Sequence, residues 1–298
     1  MKVLWAIALA VLAHAEIRAA GEVLVFQRGP DIFVTDLAGK KPRKLGSGDW
    51  PCVSPDGTQV ACNTQHRNTP ERHLAVVDIA SKSVAVLSGI PSDNCHSPVW
   101  SPDGKRLVFQ IFTGGEWHLG LVDADGTNFH YVRKAGEGRR TYWGAIWAPD
   151  GKSLYCQDMD AILQIDLDGK VLKKWPVDEL TGGTGGFNSG SALAVSPDNS
   201  ALLFDADMNE EVHLKGWDGP PQAIWILDLA TAKARRITPK DFYAWQPCWV
   251  SQNEFLFNSP SRKSVDPRLI QRWNLADGKS SLVVKDASAP SLSNVTHP

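Results

Sequence analysis

The sequence has few of the features that mark hydrolases, metal sites, membrane spans or nucleic-acid-binding chains. It contains no Gly-x-Ser-x-Gly motif and no Cys-x-x-Cys or His-x-x-x-His spacing. After residue 15, no apolar run approaches the length of about 20 residues that a spanning helix needs. The 31 basic and 33 acidic side chains leave no positive excess to attract nucleic acid. We therefore expect no cofactor, no nucleic-acid partner and no membrane span.

The first 15 residues are typical of a secretory signal peptide. Lys2 precedes an apolar run from Val3 to Ala13, and Ala13-His-Ala15 offers the small-x-small pattern of a cleavage site. We predict that residues 1–15 are removed, which leaves 30 basic and 33 acidic side chains and a formal charge of −3. The mature chain is then periplasmic or secreted.

A Pro-Asp-Gly turn between two apolar runs recurs along the chain. Proline presets the first corner of such a turn, aspartate bonds its own backbone, and glycine accepts a positive φ. The copies begin 47, 47, 48 and 54 residues apart, and they start at Val53, Trp100, Trp147, Val195 and Trp249. This regular spacing indicates a repeat architecture.

A second motif, an apolar strand followed by Asp or Asn and a small turn, alternates with the first. It occurs six times, at Asp36, Asp78, Asp123, Asp166, Asp228 and Asn274. Two hairpins, or four strands, in about 45 residues are the size of a propeller blade. The sequence therefore predicts an all-β fold, a six-bladed β-propeller of four-stranded antiparallel blades. The recurrent Trp100, Trp147 and Trp249 are expected between blades rather than at a ligand.

The blade at the amino terminus lacks its first strand, and a matching strand stands at the other end of the chain. Residues 22–28 and 31–36 read as the second and third strands, whereas 289–293 resembles a first strand. We expect the C-terminal strand to join the N-terminal blade and close the ring, which removes the open sheet edges. Residues 16–298 then form one domain.

These repeats resemble those of the TolB-like β-propeller family. The resemblance lies in Trp-Ser-Pro-Asp-Gly-Lys at 100–105, Trp-Ala-Pro-Asp-Gly-Lys at 147–152 and the flanking strands, and it covers nearly the whole mature chain. Similar repeats occur in prolyl oligopeptidase-type peptidases and in oligogalacturonate lyases, whose propeller holds a metal. The resemblance implies the fold more strongly than any one function.

The five cysteines are expected to be mainly structural. Cys52 and Cys248 share one repeat position, and Cys62 and Cys156 share another, both otherwise apolar, whereas Cys95 is expected in a loop. An odd number leaves at least one cysteine unpaired within the chain. A bridge between Cys52 and Cys62 stays open as the less favoured alternative.

Two positions that occur once in each blade suggest where a ligand would bind. The first precedes the inner strand and holds Ser288, Asp49, His96, Trp143, Ser191 and Trp245. The second ends the second strand and holds Gln27, Asn63, Gln110, Gln157, Asp205 and Asn258. The second set either bonds neighbouring strand ends or lines a polar vestibule for a sugar, a peptide terminus or a metal.

The predicted binding residues combine these positions with the longer loops on the same face. They are Asp49, Trp50, His66, Arg67, His96, Arg140, Tyr142, Trp143 and Trp245. No residue is predicted to be catalytic or to ligate a metal, although Asp49 is expected beside His96, where a carboxylate can tune a histidine.

Two functions from different classes are compatible with this pattern. The favoured one is an exported TolB-like module that binds or scaffolds an envelope protein or a peptidoglycan-associated partner without catalysis, with a saccharide as a further possible ligand. The alternative is a metal-assisted polysaccharide lyase or hydrolase, similar to oligogalacturonate lyase, with its site in the vestibule. A metal at Asp49 and His96 would favour the alternative.

Overall fold

The computed structural model describes residues 22–65, 71–133, 141–211, 214–261 and 264–293. Within these residues the chain forms six antiparallel sheets, each of which is one propeller blade. The all-β prediction and the number of blades are confirmed. The predicted signal peptide, residues 1–15, lies outside the described residues. None of the helices in the described part has the length and apolar character to span a membrane.

The strands are numbered in chain order, and blades 1 to 4 contain four strands each. In blade 1 the order is β25, β1, β2, β3. The bounds in blades 1 and 2 are β1 Val23–Arg28, β2 Asp31–Asp36, β3 Arg43–Ser47, β25 Ser288–Leu292, β4 Asp49–Val53, β5 Gln59–Gln65, β6 Arg72–Asp78 and β7 Val84–Val86. The bounds in blades 3 and 4 are β8 Cys95–Trp100, β9 Arg106–Thr113, β10 Glu116–Asp123, β11 His130–Arg133, β12 Trp143–Trp147, β13 Ser153–Gln157, β14 Ala161–Asp166 and β15 Val171–Pro176.

Blade 5 differs from the others because its inner strand is split. Both inner segments pair with the same strand, β18, and the five-residue helix α1 precedes them. The bounds in blade 5 are α1 Val177–Thr181, β16 Gly185–Gly186, β17 Leu193–Val195, β18 Ala201–Met208, β19 Gln222–Asp228 and β20 Lys233–Arg236. Blade 6 has four strands, with the bounds β21 Trp245–Ser251, β22 Glu254–Ser259, β23 Leu269–Asn274 and β24 Lys279–Lys285. The glycine-rich segment 181–188 therefore contains a short strand.

The ring closes as the sequence predicts. Strand β25 pairs with β1 through Leu292 opposite Leu24 and Ser288 opposite Gln27. The Ser293 hydroxyl also accepts a hydrogen bond from the Val23 backbone N–H at 2.9 Å. The last strand therefore supplies the inner strand of the first blade.

The Pro-Asp-Gly segments form the tight turns that their residues predict. In the copy at 101–104 the Ser101 hydroxyl donates to the Asp103 carboxylate at 2.6 Å, and the Gly104 N–H donates to the Ser101 carbonyl at 2.9 Å. Gly104 has a φ of 68°, a conformation that favours glycine. The Ser101 hydrogen bond, the largest cause, and the neighbouring N–H and cations lower the pKa of Asp103. Asp103 is thus engaged in forming the turn.

The core lies between the blades. Six clusters of buried apolar side chains in the described residues each join two neighbouring blades, and burial of one such side chain contributes about 1.5–3 kcal/mol. The recurrent tryptophans are buried there, and each indole N–H donates to the inner strand of the preceding blade. These bonds run from Trp100 to the Cys52 carbonyl at 3.0 Å, from Trp147 to Val99 at 3.1 Å and from Trp249 to Ala194 at 2.9 Å.

All five cysteines are free thiols in the structure. Because Cys52 and Cys62 are both free, the alternative of a bridge between them is wrong. Cys62, Cys95 and Cys156 are fully or almost fully buried. Cys95 is also not in a loop, because it begins the inner strand of blade 3. Burial raises the pKa of the Cys62 thiol to about 12, which keeps it protonated and unreactive.

Candidate functional site

One end of the propeller carries the predicted binding positions, and we call it the mouth face. It consists of the starts of the inner strands, the ends of the second strands and the hairpins that lead to the third strands. In five blades the inner strand contains a register shift near its start. The second residue of the bulged segment then has a positive φ, namely Trp50 at 53°, Ser97 at 52°, Gly144 at 60°, Gln246 at 53° and Ala289 at 52°. Such β-bulges re-aim the backbone locally.

The polar residues at the ends of the second strands bind the neighbouring blade. In four of the six members the side-chain oxygen accepts the N–H of the positive-φ residue in the next blade. These bonds join Gln27 to Trp50 at 3.3 Å, Asn63 to Ser97 at 3.1 Å, Asp205 to Gln246 at 2.8 Å and, with its amide oxygen oriented to accept, Asn258 to Ala289 at 3.2 Å. Of the two interpretations of this set, bonding between strand ends is the one that the structure supports.

The amide nitrogens of the same set strengthen the attachment between blades. They donate from Gln27 to the Asp49 carboxylate at 2.6 Å, from Asn63 to the Cys95 carbonyl, from Gln110 to the Tyr142 carbonyl at 2.5 Å and from Gln157 to the Asn188 carbonyl at 2.7 Å. Each bonded side chain therefore connects its own sheet with the first residues of the next.

The junction between blades 3 and 4 departs from this pattern. The nitrogen of Gln110 donates to Tyr142, but its oxygen Oε1 has no hydrogen-bond partner among the described residues. The side chain is only 6% exposed, so this acceptor is unpaired in a buried position. Buried polar atoms are normally satisfied, which makes the exception informative. At the next junction Gln157 Oε1 accepts from the Met159 N–H of its own hairpin at 2.6 Å.

The structure places most of the predicted binding residues on the mouth face. Asp49, Trp50, His96, Trp143 and Trp245 begin or follow the start of inner strands, and all five are partly buried.

Four other predicted binding residues do not contribute to the described part of this surface. Tyr142 is 4% exposed and packs in the core between blades 3 and 4, so its assignment to the binding surface is corrected. His66, Arg67 and Arg140 lie outside the described residues.

Four aromatic side chains form a continuous row across blades 2, 3 and 4, which we call the aromatic row. Its members are Trp50, His96, Trp117 and Trp143. The ring centroids are 5.1 Å apart between Trp50 and His96, 6.4 Å between His96 and Trp117, and 6.0 Å between Trp117 and Trp143. The last two rings are inclined at 54°.

Trp117 was missed in the sequence analysis. It lies near the start of the third strand of blade 3, in a hairpin that opens on the mouth face. The repeat positions on the inner and second strands do not include it. It occupies a third repeat position, at the start of the third strand, where an aromatic residue is the signal that the sequence offers.

The environment of His96 keeps its ring neutral at pH 7. Burial, and secondly the positive charge of Arg72, lower the pKa of His96 to about 4. Nδ1 lies 2.6 Å from the Ser97 hydroxyl. Asp49, the carboxylate predicted to tune this histidine, instead accepts from Gln27 in blade 1.

Arg72 extends the aromatic row with a cationic group. Its guanidinium carbon lies 5.8 Å from the centroid of the Trp117 ring, within cation–π range, and its Nε donates to the Asn94 side chain at 3.1 Å. It forms no ion pair with a carboxylate of the described chain. The positive charge therefore remains available to a ligand.

A second aromatic group lies on blades 5 and 6. Trp217 stands between Tyr243 and Trp245, with ring centroids 5.3 Å and 5.4 Å away. The Trp245 indole N–H donates to the Asn258 amide oxygen at 3.3 Å when that amide is oriented to accept. The neighbouring Asp205 is fully buried, and this burial raises the pKa of its carboxyl to about 7.

The described residues contain no group of three or more histidine, cysteine, aspartate or glutamate side chains arranged to hold a metal ion. The described part of the mouth face therefore offers aromatic surface, amide and histidine hydrogen bonds, and an arginine, Arg72, that forms no ion pair there. This combination is suited to binding by stacking and hydrogen bonding.

These features define a six-bladed β-propeller with aromatic side chains on its mouth face. Comparisons with known proteins then specify the kind of propeller: the chain is a TolB-like β-propeller. It is 26% identical over 127 residues, 40% of this chain and 29% of the relative, to the Tol-Pal system protein TolB of Francisella tularensis subsp. tularensis (strain WY96-3418). Matched segments span 21% to 29% of the length of the curated TolB relatives. No protein-family model matches the chain.

Solved structures agree on the fold. The crystal structure of TolB from Acinetobacter baumannii aligns with a TM-score of 0.67 and 16% identity, and covers 91% of this chain and 66% of that one. An oligogalacturonate lyase in complex with manganese aligns with a TM-score of 0.54 and 16% identity, over 83% of this chain and 72% of the lyase. At these identities both alignments bear on the fold alone.

Proposed function

We propose that this chain is an exported binding module of the cell envelope that holds a protein partner on its mouth face. Cleavage of residues 1–15 and a periplasmic or secreted location are part of the proposal. The similarity to Tol-Pal system proteins supports a partner of the Tol-Pal type, such as the peptidoglycan-associated protein Pal.

The observation that carries this proposal is the aromatic surface around the mouth. Trp217 and Trp245 are partly buried and contact each other in a T-shaped arrangement. Tryptophan and tyrosine at such positions bring a large apolar area together with an indole or hydroxyl hydrogen bond. Residues of this kind dominate the binding energy of protein interfaces.

The experiment measures binding of the mature chain to the soluble domain of Pal from the same cell by isothermal titration calorimetry. We expect saturable binding that Trp245→Ala weakens by at least about tenfold, because truncation of one central aromatic residue costs more than about 1.4 kcal/mol. Leu282→Ser serves as the control, since Leu282 is 57% exposed on the outer strand of blade 6. Absence of binding, or equal weakening by both variants, would contradict the proposal.

The alternative of a metal-assisted lyase or hydrolase has less support from the geometry. It would need Asp49 and His96 to face a shared cation. Asp49 bonds with Gln27, whereas the charge that shifts the pKa of His96 is that of the cation Arg72, which lowers it. Binding without catalysis therefore describes this face better.

A further inference from the structure

We propose that the junction of blades 3 and 4 is a glycan-binding subsite, in which a pyranose ring lies across Trp117 and Trp143 and donates a hydrogen bond to Gln110. This proposal goes beyond partner binding, because it assigns a carbohydrate ligand to a different part of the mouth face. The protein partner is placed at Trp217 and Trp245, on blades 5 and 6.

The oxygen of Gln110 is an unpaired acceptor in the described residues. Four junctions fill the equivalent acceptor with a backbone N–H from the next blade, and a fifth fills it from its own hairpin. Only at the junction of blades 3 and 4 does the acceptor stay open among the described residues. A ligand that brings an O–H or N–H to this point would satisfy a buried group, and such pairing carries specificity.

The Gln110 side chain is also close to the aromatic row. Gln110 is the backbone partner of His96 across strands β8 and β9, and its amide nitrogen reaches the carbonyl of Tyr142, directly before Trp143. Gln110 therefore lies beside His96, and its amide ends at the backbone directly before Trp143, so the amide is close to the backbone of two members of the aromatic row.

The shape of the aromatic surface favours a sugar. Trp117 and Trp143 have centroids 6.0 Å apart and planes inclined at 54°, so they present a bent surface and not a slot for a flat ring. The C–H groups on one face of a pyranose pack against such rings, while its hydroxyls point outward to polar partners. Binding sites with apolar walls and a few placed polar groups are the usual arrangement for small ligands.

The remaining polar groups match the same ligand class. Neutral His96 and the Arg72 guanidinium flank Trp117, and both can bond hydroxyl, acetamido or carboxylate oxygens. A phosphate ligand would call for several converging donors, whereas Arg72 is the one cation that contacts the row in the described residues. The proposed ligand is thus a pyranoside. The test below distinguishes neutral, N-acetylated and acidic pyranosides.

The test is isothermal titration calorimetry with cellotetraose, chitotetraose and tetragalacturonate. We expect saturable binding of at least one probe. We expect Trp143→Ala, and independently Gln110→Met, to weaken it by about tenfold or more. Preference for tetragalacturonate would assign Arg72 to a carboxylate, and preference for chitotetraose would assign Gln110 to an acetamido N–H. Circular dichroism and thermal melts confirm that each variant is folded.

Met159→Ala is the matched control. Met159 lies on the same face in blade 4 and is 40% exposed, but its side chain belongs to neither aromatic group. Binding of the preferred probe should be unchanged in this variant. If none of the three probes binds the wild-type chain, or if Met159→Ala weakens binding as much as Trp143→Ala, the glycan subsite is wrong, while the Pal measurement stands or fails separately.

Discussion

The junction of blades 5 and 6 and the junction of blades 3 and 4 are built from equivalent residues, yet one is sealed and the other is open. At the junction of blades 5 and 6, Asp205 is fully buried and accepts the N–H groups of Gln246 at 2.8 Å and Ala192 at 3.2 Å. At the junction of blades 3 and 4, Gln110 makes one hydrogen bond, and its oxygen is unpaired among the described residues. The difference teaches that the polar ring on the mouth face is mainly structural, and that the proposed glycan subsite lies where the bonding of this ring is incomplete.

Removal of the Asp205 side chain should have the largest effect on stability. Asp205→Ala leaves the two buried N–H groups of Gln246 and Ala192 without an acceptor, which costs about 1–3 kcal/mol each. We expect the free energy of unfolding to fall by about 3 kcal/mol or more. Urea denaturation followed by tryptophan fluorescence measures this change. A loss below about 1 kcal/mol would mean that the carboxylate does not hold this junction together.

The pH dependence of stability should distinguish the two halves of the mouth face. The folded-state pKa of His96 is about 4, below the unfolded value of 6.5. Its neutral form therefore supports the fold fully above pH 6.5, and this support is lost as the pH falls toward 4, because the unfolded state takes up the proton first. Because His96 is partly exposed, its contribution is reduced by solvent screening. Between pH 7 and 4.5 we expect the free energy of unfolding of the wild type to fall by roughly 2 kcal/mol more than that of His96→Gln.

The comparison with His96→Gln isolates this effect from other titrations. Asp205 titrates in both proteins, and its raised pKa acts with the opposite sign, since protonation favours the folded state below about pH 7. Urea midpoints at both pH values, measured for the two proteins side by side, cancel that contribution. Parallel pH profiles would show that His96 is not held neutral by its surroundings.

The repeats predicted the fold because each element of the pattern has a local cause. The chemistry of the turn residues predicts the Pro-Asp-Gly turns. The period-2 alternation of apolar residues predicts the strands, including the missing first strand of blade 1, and the burial of Trp100 and Trp147. Pairing of β25 with β1 then completes the ring. The polar residues at the second-strand ends were also found, because repetition at one position is visible without coordinates.

The details of the site depended on geometry that periodicity does not contain. Tyr142 directly precedes strand β12 and is buried in the core, although the next residue, Trp143, contacts the aromatic row on the mouth face. The bulges shift the register near the start of the inner strands, and Asp49 thereby pairs with Gln27 and not with His96. Trp117 joins the aromatic row only through the folding of a hairpin from another strand.

A near-isosteric change at the open junction should have the smallest effect on stability. Gln110→Met removes one hydrogen bond to Tyr142 but also removes the unpaired buried oxygen, so the two effects oppose each other. We expect the free energy of unfolding to stay within about 1 kcal/mol of wild type.

Asn63→Leu is the matched comparison, because both ends of the Asn63 amide are bonded, to the Cys95 carbonyl and the Ser97 N–H. Removal of a fully paired buried amide leaves two unsatisfied backbone groups, so we expect a loss of about 2 kcal/mol or more in the same urea titration. Equal losses in the two variants would show that the Gln110 oxygen is paired in solution, and would remove the main reason for placing a ligand between blades 3 and 4.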